Sequence, residues 1–457
     1  MTLEQDIQEL ISRQRAFFAS GQTQEFDFRL QALRRLKKVI LEYEQEIIDS
    51  MTADNEKPLF ESYMTELVFT INEINIAIKN LKNWMKPSKI GTSIFVFPSR
   101  SYIVKEPYGV ALIMGSWNFP FLLVFSPLVG AIAAGNCCIV QTSGNSLAAG
   151  VIEKMIAAAF AADHVAMVDP ELETSQRLVE QRFDKIFFTG GAEVGKIIMA
   201  KAARNLTPVT LELGGKSPCI VDKNIDVDVT TRRILHGKLL NAGQACIAPD
   251  YLLVHREIKD TLYRSLSKWL QVFYPERSDQ YQDMATIING KHYTRVKDYL
   301  QQGKIVIGGR FDDERLMIEP TVMEITDLDL PVMQEEIYGP VLPVIEYASL
   351  GQAADIIARN PNPLGLYVFS KDKQVVRWVI KNIPFGGGCV NDTEYHFAHF
   401  GLPFGGRGNS GMGNYHGRFG FDAFSHQKAV LYKGFAFDLP IYPPYKDKHK
   451  YWKMLMR

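Results

Sequence analysis

No charged residue stands between Glu106 and Glu153, and this stretch limits the folds open to the chain more than any other feature. A run of this kind is buried either in a membrane or in a large protein core. Pro120, Pro127 and Gly130 interrupt it, and it contains no clean run of about 20 apolar residues, the length of a membrane-spanning helix. The stretch therefore predicts a buried α/β core and no integral membrane segment.

The surrounding sequence alternates between short apolar runs and segments with helical spacing. We expect strands at residues 110–114, 137–140 and 185–188, and helices at residues 126–134 and 155–160. A second alternating series follows Glu212, with strands at residues 251–254 and 304–307. This alternation is typical of parallel sheets with helices on both faces, so the predicted fold class is α/β.

The two ends of the chain differ from this central pattern. Residues 1 to about 85 read as helices, since Leu33, Leu36 and Ile40 recur at helical spacing. Residues 92–106 resemble a β-hairpin with its turn at Pro98-Ser99, and residues 429–432 read as a late strand.

Composition excludes several classes of function. The chain has 457 residues, enough for two or three domains, and 51 basic residues balance 51 acidic ones. This balance argues against a nucleic-acid partner, which usually requires a basic excess. The nine histidines and five cysteines show no metal-ligand spacing, so we expect no metal site. An odd, sparse cysteine count without a signal peptide indicates a cytoplasmic protein.

Two glycine-flanked segments carry a carboxylate and a thiol. Glu212 stands in Leu-Glu-Leu-Gly-Gly-Lys, and Cys246 follows 34 positions later (246 − 212) in Gly-Gln-Ala-Cys-Ile-Ala-Pro-Asp. A thiolate attacks a carbonyl carbon, and a carboxylate activates the water that later releases the acyl product. Asn118, in Trp-Asn-Phe-Pro, supplies an amide donor for a developing oxyanion.

Together these three segments resemble the aldehyde dehydrogenase superfamily, and most closely its class 3, or fatty-aldehyde, branch. The resemblance covers nearly the whole chain. It implies a Rossmann-type NAD(P)-binding domain at residues 1–211, interrupted by an arm at 92–106. It further implies an α/β catalytic domain at 212–427, and an arm strand and tail at 428–457 that make a small β oligomerisation arm. In that reading Cys246 is the nucleophile, Glu212 the general base and Asn118 an oxyanion donor, and the class 3 branch is typically a homodimer.

The resemblance also assigns residues to an NAD or NADP cofactor. The turn Phe-Phe-Thr-Gly-Gly-Ala-Glu-Val-Gly follows a predicted strand and precedes a predicted helix, where exposed N–H groups hold phosphate. The cofactor residues implied are Thr189, Gly190, Gly191, Val194, Gly195, Leu213, Glu336 and Tyr338. Of these, Glu336 matches the glutamate that holds the nicotinamide ribose, and Tyr338 an aromatic beside the nicotinamide ring.

One segment departs from the family pattern. Where the family reads Lys-Pro-Ser-Glu, this chain reads Gln141-Thr142-Ser143-Gly144. Gln141 keeps one hydrogen-bonding group for the adenosine ribose, while Gly144 keeps none. A hydrogen bond to a charged group contributes roughly 1.5–3 kcal/mol, so losing two predicts weaker cofactor binding and poor discrimination between NAD and NADP.

The predicted reaction is oxidation of apolar aliphatic or aromatic aldehydes through a Cys246 thiohemiacetal and thioester. Trp117, Phe397 and Phe404 are expected to line the substrate tunnel. Two alternatives stay open on the sequence alone. One is a cofactor-independent thiol esterase acting through Cys246 and Glu212, and the other is a binding protein that has lost turnover through its altered ribose site.

Overall fold

The computed structural model describes residues 3–144, 146–275, 281, 283–437 and 441–454. Residues 438–440 and 455–457, which belong to the predicted C-terminal tail, lie outside the described residues. The helices are α1 (Leu3–Ala19), α2 (Phe26–Glu42), α3 (Glu44–Asn55), α4 (Leu59–Glu61), α5 (Phe69–Trp84), α6 (Pro120–Ala134), α7 (Leu147–Ala159), α8 (Leu172–Glu180), α9 (Ala192–Ala203), α10 (Val227–Leu239), α11 (Lys259–Phe273), α12 (Gly290–Tyr299), α13 (Pro331–Gln334), α14 (Leu350–Ala358), α15 (Lys373–Asn382), α16 (Gly417–Ala423) and α17 (His449–Met454).

Within the described residues, the strands form four sheets. They are β1 (Ser88–Ile90), β2 (Ser99–Pro107), β3 (Val110–Met114), β4 (Cys137–Gln141), β5 (Val165–Met167), β6 (Lys185–Gly190), β7 (Val209–Leu213), β8 (Pro218–Val221), β9 (Tyr251–His255), β10 (Lys304–Ile307), β11 (Phe311–Asp312), β12 (Met317–Ile318), β13 (Thr321–Glu324), β14 (Val341–Tyr347), β15 (Gly365–Phe369), β16 (Gly387–Val390), β17 (Gly411–Met412) and β18 (Ser425–Lys433).

The first large sheet has the strand order β17-β7-β6-β3-β4-β5. Its strands are parallel except for β17, which runs antiparallel to β7. The charge-free stretch supplies β3, the fully buried helix α6 and β4, all in the interior of this half of the molecule. The predicted buried α/β core is therefore confirmed. Among the described residues, no helix is long and apolar enough to cross a membrane.

The second large sheet has the order β10-β13-β14-β9-β8-β15-β16. All its strands are parallel except β10, which pairs antiparallel with β13. The polypeptide passes from the first sheet to the second through residues 214–217, directly after β7. The predicted boundary at 211/212 falls inside β7, and residues 411–412 return to the first sheet as β17. The division into domains at those positions stays a prediction.

The third sheet is an arm with the order β1-β2-β18. β18 pairs with β2 along its whole length, from Ser425 opposite Pro107 to Lys433 opposite Ser99. The hairpin predicted at residues 92–106 is wrong in its bounds, because its first strand is β1 and the connection runs from residue 91 to 98. A short 3-10 helix at Ile94–Val96 occupies part of that connection, so apolar residues there do not signal a strand.

Candidate active site

Cys246 follows a strained turn at the end of α10. Asn241, Ala242 and Gly243 all have left-handed backbone angles, with φ of 51°, 54° and 75°. At Gly243 a side chain would place its Cβ 2.4 Å from the Gly339 carbonyl oxygen, so only glycine fits there. Non-glycine residues in this region each cost about 1 kcal/mol or more, and the surroundings must hold the turn in place.

A chain of buried hydrogen bonds holds this turn against Asn118. The Asn241 backbone N–H donates to the Glu61 carboxylate at 2.8 Å, and the Asn241 side chain donates to the Asn118 carbonyl oxygen at 3.0 Å. The Asn118 amide in turn donates to the Gln244 carbonyl oxygen at 3.1 Å. These bonds hold Asn118 against the segment that carries Cys246, and the contact is made at Gln244, two residues before Cys246.

Glu212 lies on β7, with Thr189 of β6 and Gly411 of β17 as its partners in register. Its side chain is buried, and burial raises its pKa to about 7. The Cys246 thiol and Thr189 hydroxyl lie close enough to lower that pKa in part, although neither completes a well-formed hydrogen bond with the carboxylate. A carboxylate of this kind is a much stronger base than a solvated one.

The Cys246 thiol is buried and uncharged at rest. Burial raises its pKa well above the usual value, and the negative charges of Glu212, Glu336 and Glu394 raise it further. The thiol therefore needs a base to accept its proton as it reacts, and Glu212 is the carboxylate beside it.

An apolar pocket opens beside Cys246, with an empty volume of about 620 Å³. Phe69, Phe119, Leu122 and Phe397 are among its lining residues. Of the three predicted tunnel residues, the structure places only Phe397 on this pocket.

The other two predicted tunnel residues lie elsewhere. Phe404 is buried behind Phe397, with the ring centroids 4.9 Å apart, so it supports the wall without lining the pocket. Trp117 lies on a separate groove, where its ring contacts His292 and Tyr338. A sequence segment shows that aromatic residues are near the nucleophile, but not which side of the thiol each one faces.

This groove, of about 1590 Å³, runs along the carboxyl ends of β3, β4 and β6. The predicted cofactor residues that line it are Gln141, Thr189, Gly190, Gly191, Val194, Glu336 and Tyr338. Helix α9 begins at Ala192 with Gly191 as its N-cap, and since no side chain caps it, its first backbone N–H groups remain available to a phosphate. A Cβ at Gly191 would touch nothing within 4 Å, so the missing side chain leaves open room above the helix.

Gly195 and Leu213 do not line the groove. A side chain at Gly195 would come within 2.8 Å of the Leu213 side chain, so the two residues allow α9 to pack closely on β7. Their contact with the cofactor stays a prediction, since the structure shows only that the two residues pack together beneath the turn at Gly190-Gly191. A glycine at position 195 is needed for the close packing of helix α9 on strand β7.

The far end of the groove fits a nicotinamide ribose. Glu336 extends over Gly214, where any Cβ would lie 2.0 Å from a carboxylate oxygen. Its Oε1 is buried and, within the described part of the chain, has no hydrogen-bond partner. Burial raises the Glu336 pKa well above its usual value. A buried oxygen without a partner, at the rim of a groove, is suited to a ribose hydroxyl.

The adenosine end of the groove departs from the expectation. The Gln141 side chain is buried, donates to the Asp169 carbonyl oxygen at 2.8 Å, and accepts from the Ser175 hydroxyl at 2.9 Å. Each end of its amide thus has one partner in the protein, which leaves one N–H and one oxygen lone pair for a ribose hydroxyl. Glu171 lines the same end, and it adds a negative charge that the sequence comparison at Gln141 and Gly144 did not reveal.

Several buried residues near the site were missed by sequence reasoning. Glu61 stabilises the nucleophile turn, while Glu394 lines the apolar pocket and Lys238 lies behind it without a hydrogen-bond partner among the described residues. Glu61 is far in sequence from the predicted site segments, whereas Lys238 stands eight positions before Cys246 and Glu394 three before Phe397, and no local pattern marks any of them as functional. Among the described residues, no group of three or more His, Cys, Asp or Glu is placed to hold a metal ion.

Comparisons with known proteins agree with this geometry. The family model described as "Aldehyde dehydrogenase family" matches residues 2–430. The chain is 45% identical to the 4,4'-diaponeurosporen-aldehyde dehydrogenase of Staphylococcus aureus, over 97% of each chain. It is 42% identical to aldehyde dehydrogenase family 3 member B1 of Bos taurus, over 92% of this chain and 90% of that one. The chain therefore belongs to the aldehyde dehydrogenase family, in its class 3 branch.

Solved structures extend this result to the fold and the cofactor. A substrate-bound structure of Staphylococcus aureus AldH superposes with a TM-score of 0.95 at 43% identity, covering 99% of both chains. A betaine aldehyde dehydrogenase from the same organism, in complex with NAD+, superposes with a TM-score of 0.84 at 27% identity, covering 96% and 90%. A relative from Canis lupus familiaris, 39% identical over 96% and 98% of the chains, is named as NADP-preferring. The chain is thus an NAD- or NADP-dependent oxidoreductase that oxidises aldehydes, and neither the esterase nor the binding-protein alternative is favoured.

Proposed function

We propose that the chain oxidises apolar aliphatic or aromatic aldehydes to carboxylic acids, with Cys246 as the nucleophile, Glu212 as the general base and Asn118 as the oxyanion donor. The observation that carries this proposal is the position of Cys246. The thiol borders the apolar pocket on one side, has a buried carboxylate of raised pKa beside it, and is tied through Gln244 to the Asn118 amide.

The first step forms the bond between sulphur and the aldehyde carbon. Glu212 accepts the thiol proton as the sulphur attacks, so a thiolate never has to persist in the buried site. The Asn118 amide has two N–H groups, and only one is needed by the Gln244 carbonyl oxygen. The second, with the Cys246 backbone N–H, holds the negative oxygen of the resulting thiohemiacetal.

The groove residues serve the oxidation step. A bound NAD or NADP would supply the hydride acceptor, and the N-terminus of α9 and Glu336 would hold its pyrophosphate and nicotinamide ribose. Cys246 borders the apolar pocket, and Glu336 of the groove lies close enough to influence its thiol. The alkyl or aryl part of the aldehyde would occupy the pocket.

Hydrolysis then completes the reaction. Glu212, after returning its first proton to solvent, takes a proton from the water that attacks the thioester carbon. The carbon–sulphur bond breaks, the sulphur regains a proton, and the carboxylic acid leaves. The net reaction consumes one aldehyde, one oxidised cofactor and one water.

The test is the appearance of reduced cofactor with purified protein, a medium-chain aldehyde and either NAD or NADP. We expect turnover by the wild type and none by Cys246→Ala. Cys219→Ala serves as the matched control, because Cys219 is likewise a buried cysteine, on β8, and lines neither the apolar pocket nor the groove. Equal turnover by Cys246→Ala would exclude the proposed nucleophile.

We also propose a homodimer in the cytoplasm. The support for the dimer is the arm, whose edge strand β18 is largely exposed over nine residues. The support for the location is that all five cysteines are free, as expected in a reducing compartment. Sedimentation of the purified protein tests the first proposal, since a dimer has twice the 51.7 kDa mass of the chain, and fractionation of source cells tests the second.

A further inference from the structure

Helix α6 is buried along its whole length and contains no charged residue. The first N–H groups of a helix have no partner within it, and the aligned peptide dipoles give this end a partial positive charge. Water or an acidic side chain in the first turn usually compensates for both. Here the first turn is apolar and buried, and Phe119 at the N-cap has a side chain that cannot accept a hydrogen bond. The compensation therefore has to come from another element.

Glu66, on the π-helix at Ser62–Val68, provides this compensation. One oxygen of its carboxylate accepts a hydrogen bond from the Leu122 N–H of α6 at 3.0 Å, and the other lies 2.8 Å from Lys57 Nζ. Both charged side chains are almost completely buried, with exposed fractions of 2% for Lys57 and 0% for Glu66. The Lys57 ammonium also lies 4.3 Å from the centroid of the Phe119 ring. This buried ion pair therefore holds the first turn of α6 at both Phe119 and Leu122.

The proposed oxyanion donor, Asn118, stands directly before this turn. Its carbonyl oxygen accepts from the Asn241 side chain at 3.0 Å, and its amide donates to the Gln244 carbonyl oxygen at 3.1 Å. These bonds fix Asn118 on the side of the nucleophile turn, while the start of α6 fixes the backbone on its other side. The direction of the Asn118 amide thus depends on where α6 begins.

A second carboxylate on the same segment holds the nucleophile turn. Glu61, directly before the π-helix and five positions before Glu66, accepts from the Asn241 backbone N–H at 2.8 Å. In an α-helix, residues five positions apart point about 140° away from each other. The i to i+5 hydrogen bonds of a π-helix bring such residues closer to one face. One short segment can therefore contact both the start of α6 and the turn that leads to Cys246.

We propose that Glu66, held by Lys57, is a positioning residue for aldehyde oxidation, because it fixes the start of α6 so that the Asn118 amide points at the oxygen of the thiohemiacetal. This inference rests on the proposed function, in which Asn118 is the oxyanion donor. Among the described residues that border the apolar pocket and the groove, Glu66 is absent, so it acts through Leu122 and Asn118. Loss of Glu66 weakens the stabilisation of the negative oxygen, whereas the Cys246 thiol stays in place because Glu61 still holds its turn.

The test removes the ion pair as a unit, because one buried charge left without its partner would destabilise the fold. Lys57→Met/Glu66→Leu removes the pair and the bond to Leu122. Lys57→Met/Glu66→Gln removes both charges but keeps an oxygen that accepts from the Leu122 N–H. We expect the first variant to lower kcat by about 10²-fold with little change in KM, the effect of a displaced oxyanion donor, and the second to recover most of that loss. Lys105→Met/Asp422→Leu, which removes an ion pair between β2 and α16, is the control and should keep the wild-type kcat. An equal kcat for the wild type and Lys57→Met/Glu66→Leu overturns the proposal.

Two further measurements distinguish positioning of Asn118 from general damage to the site. Iodoacetamide alkylates a thiol by displacing iodide and creates no negative oxygen, so Cys246 should react at the same rate in Lys57→Met/Glu66→Leu as in the wild type. In an Asn118→Ala background, loss of the ion pair should lower kcat little further, because both changes remove the same donor. Slower alkylation, or losses of kcat that add, would mean that the ion pair acts on the fold or on another group, and would overturn the proposal.

Amide hydrogen exchange tests the start of α6 without any turnover. Residues 117–123 should exchange faster in Lys57→Met/Glu66→Leu than in the wild type, and Lys57→Met/Glu66→Gln should restore their protection. Unchanged exchange overturns the role of Glu66 and leaves the proposed oxidation intact. If the wild-type protein oxidises no aldehyde, the proposed function is wrong, and the exchange rates still decide whether Glu66 holds the start of α6.

Discussion

Burial changes the two reactive side chains in opposite ways. For Glu212 a pKa of about 7 makes the carboxylate a better proton acceptor. For Cys246 a raised pKa makes the thiol less reactive by itself. The two residues therefore function only as a pair, because each compensates for the protonation state that burial imposes on the other.

The first prediction concerns Glu212→Gln. An amide cannot accept a proton, so we expect kcat to fall by about 10²–10⁴-fold, the usual contribution of a general base. If the thioester still forms slowly, it accumulates, and the mass of the intact protein increases by one acyl group on Cys246. An unchanged kcat for this variant would contradict the assigned role of the carboxylate.

The second prediction follows from the Glu212 pKa of about 7. The base is active when deprotonated, so wild-type kcat should fall about tenfold per pH unit below that pKa and level off above it. Rate profiles with saturating aldehyde measure this limb directly. If Glu212 governs the limb, it should be absent from the residual activity of Glu212→Gln; its persistence would assign the titration to another group.

The third prediction concerns the adenosine end of the groove. Glu171 lines this end beside Gln141, whose amide is already bonded to Asp169 and Ser175. A negative charge there repels a 2′-phosphate, so we expect NAD to bind more tightly than NADP. Glu171→Gln should lower the Kd for NADP several-fold and change the Kd for NAD little, as measured by cofactor fluorescence. Glu173→Gln, in the first turn of helix α8, whose N-cap is Glu171, is the control.

At the scale of secondary-structure elements, the correct predictions are those of strands and helices that a local sequence pattern determines. Strands β3, β4, β6 and β9 and helix α6 were confirmed because alternation and burial mark them in the chain itself. The bounds of the arm hairpin were wrong because Ile94–Val96 forms a 3-10 turn whose apolar residues resemble a strand. Contacts of the nucleophile turn with Glu61 and Asn118 were not predictable, since they join residues that are 180 and 123 positions apart.

The same limit applies to the site residues. Matching a segment to a family predicts that Trp117 and Phe404 are near the chemistry, but the side each one faces depends on packing between distant elements. Phe404 is buried against Phe397 and pairs with Tyr415 in a short β-bridge. Glu394 was not singled out because a lone glutamate in a loop normally lies in water.

The fourth prediction tests the turn that carries the nucleophile. Gly243→Ala places a Cβ 2.4 Å from the Gly339 carbonyl oxygen at a φ of 75°, so we expect unfolding in urea at a lower midpoint and a large loss of kcat. Gly191→Ala is the control, because its Cβ touches nothing within 4 Å. It should unfold like the wild type and weaken only cofactor binding, since the methyl group enters the groove above α9. Equal midpoints for both variants would show that the turn is not constrained.

At the scale of the whole molecule, the first sheet borders the groove at the carboxyl ends of β3, β4 and β6, and residues 108–109 connect it to the arm. Cys246 lies five positions before the first residue of β9 in the second sheet (251 − 246), so the proposed site draws on both sheets. β18 leaves one edge of the arm without a strand partner in the described chain. An exposed edge of nine residues is a site for association, and a second copy of the chain would cover it.

The fifth prediction follows from that edge. Leu431, half-exposed on β18, is part of the proposed contact between subunits, so Leu431→Asp adds a charge where apolar surface is buried in the dimer. We expect the variant to sediment at the 51.7 kDa mass of one chain at concentrations where the wild type is dimeric. Leu206→Asp makes the same substitution at an exposed leucine outside the arm and should remain dimeric.

Because the nucleophile, base and groove all lie within one chain, the monomeric variant should still oxidise aldehydes. Loss of activity on dissociation would mean that the arm stabilises the site of its own or the neighbouring subunit, whereas a dimeric Leu431→Asp would place the interface elsewhere.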